Sequence, residues 1–426
     1  MSHFLQGSPA SVIDSVRASA LLDSMLESLQ PLRRVLLLPP DFTRYHSGAG
    51  ELTVLLYQKL QTLGATVEIM PALGTHVPMT ASEIATMFPG ISPEVFRVHD
   101  WRNGLAQIGI VPCDYVEQIS EGRVAYPITC EVNRHLLDGQ WDRIISIGQL
   151  VPHEVIGIAN HNKNIFVGVG GGETIHKTHF LGAVYGMERT MGRAQSPVRD
   201  VFNYMQDHFL RDLPLTYLLN VRAKDENGNL VTRGLFAGED YECFLRGAEL
   251  CQQVNLDLLD QPLKKAVVYL DPTEFKSTWL GNKAIYRTRM AMADDGELII
   301  LAPGVAHCGE DREIDRLIRL YGYHGTQHTL HLVERNEDLR ASLSAAAHLI
   351  HGSSEGRFRV TYCTNHLSRS EVEGIGYAYA PYENIAQKYN PMRLSDGFNE
   401  MPDGEHIFFV SNPALGLWGL KSQFSD

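Results

Sequence analysis

The chain has 426 residues, of which 44% are hydrophobic and 20% charged, and its formal net charge is −13 at pH 7. This length exceeds what one hydrophobic core usually supports and predicts two domains. The acidic balance argues against a nucleic-acid-binding protein, which needs a basic face, and no apolar run is long enough to predict a membrane span.

The cysteines and the N-terminal residues indicate a cellular compartment. The cysteines stand far apart, without a CxxC pair, and the first residues lack the basic-then-apolar order of a secretory signal. The cysteine spacing is typical of reduced thiols, and the missing signal fits a protein that is not secreted. We therefore expect a cytoplasmic protein without a disulfide framework or a cysteine zinc site. The cysteines are Cys113, Cys130, Cys243, Cys251, Cys308 and Cys363.

The first part of the chain alternates between strand and helix patterns. Apolar spacing predicts a helix over residues 11–30, and the apolar run 35–38 before Pro39-Pro40 predicts a buried strand. A helix over 51–62, a strand over 66–70 and a capping-box start at Thr80–Glu83 follow. This alternation predicts a largely parallel sheet.

The middle of the chain continues the pattern less regularly. Residues 123–132 alternate in hydrophobicity and predict an antiparallel addition, and 144–150 predicts the next buried strand. Residues 196–222 and 238–259 are predicted to be helical, with a turn at 225–228 between them.

The last part of the chain predicts a second, smaller domain that begins after Gln261-Pro262. We expect an α/β fold of two domains, each with a largely parallel sheet flanked by helices, and an active site in the cleft between them. Residues 1–262 would form the catalytic and cofactor-binding domain and 263–406 the second domain; a return of residues 407–426 to the first domain is left open. The predicted strands are 266–270, 297–302, 357–364 and 407–411, and the predicted helices are 311–321 and 336–350.

Polar residues follow the first two predicted strands at once. Asp41-Phe42-Thr43-Arg44 comes after the first strand, and Leu73-Gly74-Thr75-His76 comes after the second. Ligands of open α/β sheets gather outside the carboxyl ends of the strands. We therefore expect Asp41, Arg44 and His76 to converge.

The segment 152–180 carries the densest cluster of chemically active residues: His153, His161, Lys163, His176, His179 and the run Gly168-Val169-Gly170-Gly171-Gly172. Imidazoles serve as metal ligands or as acid/base groups. A zinc-dependent hydrolase is therefore an alternative, although the HExxH motif of zinc proteases is absent from the sequence. The glycine run lacks the GKS/T ending of a P-loop and is more typical of a close backbone approach. A non-catalytic nucleotide-binding regulatory protein is the other alternative.

Taken together, these motifs resemble the lactate racemase superfamily, whose enzymes carry a nickel-pincer nucleotide. The resemblance rests on the DxTR motif at Asp41–Arg44, on His76 in a Gly-x-His-x-Pro setting, and on the pair Pro152-His153. Lys163 follows ten residues after that histidine, and His179 follows sixteen residues further on.

The resemblance implies a role for each of these residues. Lys163 would tether the nucleotide and His179 would be the protein ligand to Ni(II), whose square-planar geometry suits such a site. His76 and His153 would be the two acid/base groups. Three further residues would hold the polar groups of the cofactor site: Asp41, Thr43 and Arg44. Of these, Arg44 would bind a phosphate or a substrate carboxylate.

The implied activity is that of an isomerase. A racemase or epimerase of this kind inverts C2 of a 2-hydroxy acid by proton-coupled hydride transfer to the nickel-pincer nucleotide, nickel pyridinium-3,5-bisthiocarboxylic acid mononucleotide. The implied partners are a small 2-hydroxy acid and the proteins that synthesise the cofactor, with neither nucleic acid nor membrane; a homo-oligomer is left open.

The sequence departs from the family pattern in two places. Ala159-Asn160-His161-Asn162 replaces the usual serine-glycine-glycine-arginine before the lysine, and residues 279–289 do not align uniquely with the family's substrate-binding region. The surplus of polar groups, with His161 and His176 lacking a family role, suggests a substrate more polar than lactate, such as the aldonate gluconate or the hydroxy dicarboxylate malate. Substrate-binding candidates in the second region are Lys283, Tyr286, Arg287 and Arg289, and Tyr286 is equally well explained as a packed helix aromatic.

Overall fold

The computed structural model describes residues 4–414 and 416–424, which form two compact units. The first unit consists of the chain up to Leu181 together with Arg189–Asn255; the second consists of Gly182–Glu188 and the chain from Leu256 onward. The change of unit thus falls at Asn255, ahead of the predicted limit at residue 262. Within the described ranges no helix is both long and apolar enough to cross a membrane.

The first unit is an α/β structure. Its strands are β1 (Phe4–Gly7), β2 (Arg34–Leu38), β3 (Thr66–Ile69), β4 (Leu105–Val111), β5 (Ile128–Asn133), β6 (Arg143–Gln149), β7 (Pro152–His153), β8 (Gly157–Ile158), β9 (Leu215–Lys224) and β10 (Leu230–Gly238). Its helices are α1 (Ser15–Ser28), α2 (Ala49–Thr62), α3 (Ala81–Met87), α4 (Cys113–Ile119), α5 (His135–Asp138), α6 (Gly172–Tyr185), α7 (Met187–Thr190), α8 (Pro197–Phe209) and α9 (Tyr241–Asn255), of which α6 and α7 include residues of the second unit. Short 3-10 segments cover Phe42–Ser47 and Pro93–Val95, and a π-helical turn covers Asn164–Gly168.

The main sheet of this unit has the order β1-β10-β9-β6-β2-β3. Strands β3, β2, β6 and β9 are parallel, while β10 and β1 add antiparallel strands at one edge. After β3 the chain forms the antiparallel pair β4–β5 and returns as β6 on the other side of β2. The strand order therefore reverses between β2 and β6, which is the position where open α/β sheets bind ligands.

Burial explains why the apolar runs became central strands. Val35–Leu38 is fully buried, as expected for a parallel strand covered on both faces. Helix α1 begins after Asp14, whose carboxylate caps the helix by accepting a hydrogen bond from the Arg17 N–H. Its apolar face packs into the same core as the inner face of α2. The predicted capping box is also present, because Thr80 and Glu83 bond reciprocally at the start of α3.

One prediction for this unit is wrong. Residues 210–222 are not helical, because α8 ends at Phe209 and β9 begins at Leu215, with a hairpin over residues 225–229 leading to β10. Leu215–Val221 is buried throughout, so this stretch has no polar stripe of helical spacing and fills a central position of the sheet. Residues 241–255 are helical as predicted, but 256–259 continue as a strand.

The second unit is also an α/β structure. Its strands are β11 (Leu256–Leu259), β12 (Leu263–Tyr269), β13 (Met292–Leu301), β14 (Arg359–Cys363), β15 (Ala378–Ala380), β16 (Gly397–Glu400), β17 (His406–Val410) and β18 (Leu417–Leu420). Its helices are α10 (Thr278–Gly281), α11 (Lys283–Thr288), α12 (Arg312–Tyr321), α13 (Thr326–Arg335), α14 (Glu337–Ala341), α15 (Leu343–His351), α16 (Arg369–Gly374) and α17 (Tyr382–Lys388). The sheet order is β15-β14-β13-β12-β17-β16, and every pairing is parallel except that of β16 with β17. Two units with largely parallel sheets confirm the predicted fold class.

The C-terminal strands lie in the second unit and do not return to the first. His406–Val410 is an inner strand of the second sheet, where Phe408 and Val410 pair with β12, and Leu417–Leu420 pairs with Leu256–Leu259. Apolar side chains of β17, all buried, fill the core beneath β12, which explains why this strand is retained there.

Candidate active site in the first unit

The loops after three neighbouring strands carry the predicted acid/base residues. Asp41 follows β2, His76 follows β3, and His153 follows β6. Because β2 lies between β6 and β3, the two histidine loops flank the Asp41 loop at the carboxyl edge of the sheet. Two strand spacings amount to about 10 Å between the strands that carry the two histidine loops.

Asp41 and His76 are joined by a hydrogen bond of 2.7 Å between Oδ2 and Nδ1. Asp41 is buried and also accepts from the Thr43 hydroxyl at 2.5 Å, whereas the His76 side chain is 53% exposed. Ala72 donates its N–H to the carbonyl of Pro39, and this bond holds the two loops side by side. The convergence of Asp41 and His76 expected from the sequence is therefore present.

Asp41 is held in its ionised form. Burial alone raises the pKa of this carboxyl, but hydrogen bonds from His76 and Thr43, together with the positive charges of His76 and Arg44, outweigh burial and lower the pKa below its ordinary value. An ionised Asp41 accepts the Nδ1 proton of His76, so the Nε2 lone pair of His76 points away from the aspartate and can accept a proton.

His153 is held in the opposite tautomer. Its Nδ1 accepts the backbone N–H of Val155 at 3.1 Å, so the neutral ring carries its proton on Nε2. Glu154 Oε2 lies 3.8 Å from the same Nδ1. The two flanking imidazoles thus differ in the nitrogen that carries the proton.

Lys163 lies on a segment tied to the ends of β2 and β6. The next residue, Asn164, is buried and donates from Nδ2 to the Leu38 carbonyl and to the Ser146 hydroxyl, both at 3.0 Å. On the other side, Asn162 is also buried and donates to Asn203 at 2.9 Å. The backbone on either side of Lys163 is therefore fixed by buried amides.

The amine of Lys163 is easier to deprotonate than an ordinary lysine amine. Burial, the positive charge of Arg44 and, to a smaller extent, that of Arg199 lower its pKa to about 8, while the negative charge of Glu154 opposes the change. The side chain as a whole is partly accessible, so the amine is shielded but can be reached. A lysine with these properties can act as a nucleophile or an attachment point near neutral pH.

His179 has a ring orientation that would suit a metal ligand. It lies on α6, where its Nδ1 donates to the Ile175 carbonyl at 2.6 Å, one turn earlier in the same helix. A backbone carbonyl on one ring nitrogen fixes the proton there and leaves the metal-binding lone pair on the other, an arrangement common in metal sites. His176 is half-buried one turn away, and burial lowers its pKa.

The glycine run is a packing element. A Cβ on Gly170 would lie 1.9 Å from the Phe166 carbonyl oxygen, and one on Gly171 would lie 2.0 Å from Glu131 Oε2. The Gly170 carbonyl accepts from His99 at 3.1 Å, and Asn133 donates its N–H to the Val169 carbonyl at 2.8 Å. The run therefore allows close approach to β5, as the sequence indicated.

His161 is part of the hydrophobic core of the first unit. Its ring lies 3.8 Å from that of Tyr217 and 5.3 Å from that of Phe244, and Nε2 is 3.3 Å from the Asp240 carbonyl. Burial holds its pKa well below the ordinary value, so the ring is neutral. The structure thus gives His161 a packing role, whereas the sequence left its role open.

Sequence reasoning missed Arg199 and the asparagines beside Lys163. Arg199 on α8 is 1% exposed and binds the segment before Lys163. Arg199 lies on the apolar face of α8, with Val198, Phe202 and Met205. This position in the helical pattern could have identified Arg199 as a buried cation.

The candidates of the second unit differ in exposure. Arg289 is buried and bonded to Glu188 at 2.8 Å, and Arg287 is buried and donates to the Gly416 carbonyl at 3.3 Å. Tyr286 is buried as well, whereas Lys283 is partly exposed and lies 5.7 Å from the Phe275 ring. Lys283 is the candidate best placed to meet a ligand.

The described part of the chain contains no group of three or more histidine, cysteine, aspartate or glutamate side chains arranged to hold a metal. A zinc hydrolase site usually has three protein ligands. Hence a metal bound through His179 would need further donors from a cofactor.

Comparisons with known proteins bear on the family of the first part of the chain and on the fold. Residues 8–192 match the family described as the lactate racemase N-terminal domain. A protein from Thermotoga maritima, a structural-genomics target, has a similar crystal structure, with a TM-score of 0.80 and 24% sequence identity over 96% of this chain and 98% of that one. The lactate racemase apoprotein from Thermoanaerobacterium thermosaccharolyticum is similar with a TM-score of 0.70 and 18% identity, over 97% of this chain and 94% of that one.

No curated protein matches the sequence significantly. At these identities the two solved structures establish the fold. The match of residues 8–192 identifies this part of the chain as a lactate racemase N-terminal domain.

Proposed function

We propose that this protein is a racemase or epimerase that inverts C2 of a 2-hydroxy acid. The observation that carries the proposal is the placement of His76 and His153 on either side of the Asp41 loop at the reversal point of the sheet. An enzyme that runs in both stereochemical directions needs an acid/base group on each side of its substrate. The family assignment supports the same class of reaction.

His76 is the proton acceptor for the substrate hydroxyl in one direction. Its Nδ1 is bonded to ionised Asp41, so the Nε2 atom takes the proton and the aspartate stabilises the resulting cation. Thr43 holds the second oxygen of Asp41, which keeps the carboxylate directed at the ring.

His153 complements His76, because Nε2 of its neutral ring carries a proton and can donate a hydrogen bond to the substrate oxygen. To act as the acid, His153 must first carry a proton on both ring nitrogens, which requires Nδ1 to release the Val155 N–H. Glu154, beside the His153 ring, stabilises the protonated form.

Lys163 and His179 fit the nickel-pincer nucleotide. Lys163 has an amine with a pKa of about 8 that suits covalent attachment, and His179 presents Nε2 as a single protein ligand. When bound, this cofactor would supply a Ni(II) centre that takes up and returns the hydrogen of C2. Arg44, whose hydrogen bonds to Thr43 are only 3.4 and 3.5 Å long, would bind the nucleotide phosphate or the substrate carboxylate.

The substrate we propose is more polar than lactate, either an aldonate such as gluconate or a hydroxy dicarboxylate such as malate. Arg44 in the first unit provides a cationic donor for a second carboxylate or for hydroxyl groups, and Lys283 stays a separate candidate on the second unit. Arg287 and Arg289, which have protein partners, would hold α11 in place.

The reaction is tested by exchange at C2. Protein co-expressed with cofactor-biosynthesis proteins should move deuterium from C2 of a labelled 2-hydroxy acid into the opposite epimer, as measured by NMR across lactate, malate and gluconate. No exchange with any 2-hydroxy acid in nickel-loaded protein contradicts the activity, and lactate as the best substrate contradicts the proposed polarity.

The cofactor is tested by intact mass and nickel content. The loaded wild-type protein should show added mass on the peptide that contains Lys163, together with nickel. Lys163→Ala should lose both, while the control Lys59→Ala, which removes a surface lysine paired with Asp23 at 2.6 Å, should keep both. Zinc without added mass on the wild type would favour the hydrolase instead.

A further inference from the structure

Arg199 is a buried cation placed beneath the segment that leads to Lys163. Its Nη2 donates to the Ile158 carbonyl at 2.7 Å, and its Nη1 donates to the Asn160 carbonyl at 3.2 Å and to Asn162 Oδ1 at 2.5 Å. The three acceptors belong to one stretch of five residues, so a single guanidinium on α8 fixes the whole stretch.

This stretch needs external support because its backbone is unfavourable. Asn160 has φ +69° and His161 has φ +58°, and two consecutive left-handed residues other than glycine are uncommon in proteins. Such a conformation persists only when surrounding contacts hold it. The hydrogen bonds of Arg199 lie on both sides of the left-handed pair and supply that support.

The charge of Arg199 is not neutralised by a carboxylate. Among the ion pairs of the described residues none includes Arg199, and its guanidinium lies 4.1 Å from the centre of the Phe244 ring. Its positive charge therefore acts on nearby groups in a shielded environment. Lys163 feels this charge along with that of Arg44, which favours the neutral amine, while Glu154 favours the ammonium form.

We propose that Arg199 is a positioning residue for Lys163: its hydrogen bonds fix the segment 158–162 that presents the lysine, and its positive charge disfavours the ammonium form of the lysine. The inference deepens the proposed function and rests on it for the identity of the group that Lys163 receives. The role of Arg199 itself concerns only groups of this chain.

The test measures the reactivity of Lys163 in the protein without cofactor. Pulses of a water-soluble acetyl ester at pH 6 to 10, followed by mass spectrometry of the Lys163 peptide, give the pH midpoint of acetylation. The wild-type midpoint should lie at about pH 8. Arg199→Met should raise the midpoint and so lower acetylation at pH 7, by less than the loss of Arg44 would, because Arg199 contributes least to the lowered pKa.

Two variants separate positioning from simple stabilisation. Arg199→Lys keeps the charge and should return the midpoint most of the way to that of the wild type, although it cannot form all three hydrogen bonds. Arg189→Met removes an exposed arginine paired with Glu121 and should leave the midpoint unchanged. A residue with only a structural role would lower the melting temperature in Arg199→Met without moving the midpoint.

An unchanged Lys163 midpoint in folded Arg199→Met would overturn the inference. Should that variant not fold, as judged by circular dichroism, Arg199→Gln, which removes the charge but keeps an amide donor, takes its place, and an unchanged midpoint there has the same meaning. Absence of added mass on the cofactor-loaded wild type contradicts the proposed function instead, so the two failures can be told apart.

Discussion

His161 illustrates how burial decides the role of a histidine. Its ring packs against Tyr217 and Phe244, and its Nδ1 has no hydrogen-bond partner. A protonated ring could not be accommodated there, which is why the pKa of His161 lies well below the ordinary value of 6.5.

Replacing His161 by Phe should reduce the acid sensitivity of the fold. A histidine whose pKa is depressed in the folded protein binds a proton more readily in the unfolded chain. Above pH 6.5 the ring is neutral in both states and does not change the stability. Below pH 6.5 the free energy of unfolding decreases by about 1.4 kcal/mol per pH unit. Urea unfolding at pH 7.5 and 5.5 should therefore show a smaller loss of unfolding free energy in His161→Phe than in the wild type. An equal loss in both proteins would show that His161 does not contribute to the pH dependence.

Asp41 is the residue whose replacement should affect catalysis most selectively. Asp41→Asn keeps the size of the side chain but removes the negative charge that stabilises protonated His76. In the proposed reaction the turnover number should fall by about 10²- to 10⁴-fold at equal nickel content. Thr43→Ala removes one hydrogen bond to Asp41 but keeps the carboxylate, so its turnover number should fall far less. Similar losses in both variants would argue against proton transfer at His76.

The glycine run shows how one element sets the position of another. Gly170 lies so close to the Phe166 carbonyl, and Gly171 so close to Glu131 of β5, that a side chain does not fit at either glycine. Gly170→Ala should lower the free energy of unfolding by about 2–4 kcal/mol, because the obstructing atom is backbone and cannot move aside. Gly172→Ala, whose Cβ would lie 3.2 Å from the nearest Trp101 atom, is the control and should change stability by no more than about 1 kcal/mol. Denaturant titration distinguishes the two, and a stable Gly170→Ala would contradict the packing role.

A charged network in the second unit links β12 to the end of α17 and to the start of β17. Glu405 binds Lys265 at 2.6 Å and Lys388 at 2.8 Å, and accepts the Tyr389 hydroxyl at 2.7 Å. Partial burial raises the pKa of Glu405, but the hydrogen bonds from the two lysines and the tyrosine outweigh it and lower the pKa to about 2. The stabilisation is therefore complete above pH 4.5 and is lost as the pH falls from 4.5 towards 2.

Glu405→Gln should make the fold less stable at pH 7 by about 1–2 kcal/mol, a value reduced by the partial exposure of the side chain. The difference from the wild type should shrink as the pH falls below 4.5. Glu400→Gln on the exposed strand β16 serves as the control and should match the wild type throughout. Thermal unfolding followed over this pH range provides the measurement, and a difference independent of pH would point to lost packing.

The overall charge of the chain bears on how an acid reaches the site. At a formal net charge of −13 the molecule repels anions, and raising ionic strength from 0.01 to 0.15 M shortens the screening length from about 30 to 8 Å. If malate and gluconate are both turned over, kcat/KM should rise with salt, and more for the dianion malate than for the monoanion gluconate. A fall with salt would mean that the local field of Arg44 and Lys163 controls entry.

The sequence predicted those parts of the fold that depend on local patterns. The run 35–38, the helix after it and the strand at 66–69 were recognisable because their periodicity and terminating residues lie within the segments themselves, and their order implied that Asp41 and His76 meet. Residues 215–221 were misread because a fully buried strand and a buried helix share the same apolar composition. The role of Arg199 depends on carbonyl groups about forty residues earlier in the chain, and no local pattern records such a contact.

The position of β2 between β6 and β3 affects how the proposed site can change. The two histidine loops leave strands that are not paired with each other, because β2 lies between them and is hydrogen-bonded to both. Substitutions within either loop can therefore change the reach and polarity of one side of the site without altering the pairing of the sheet.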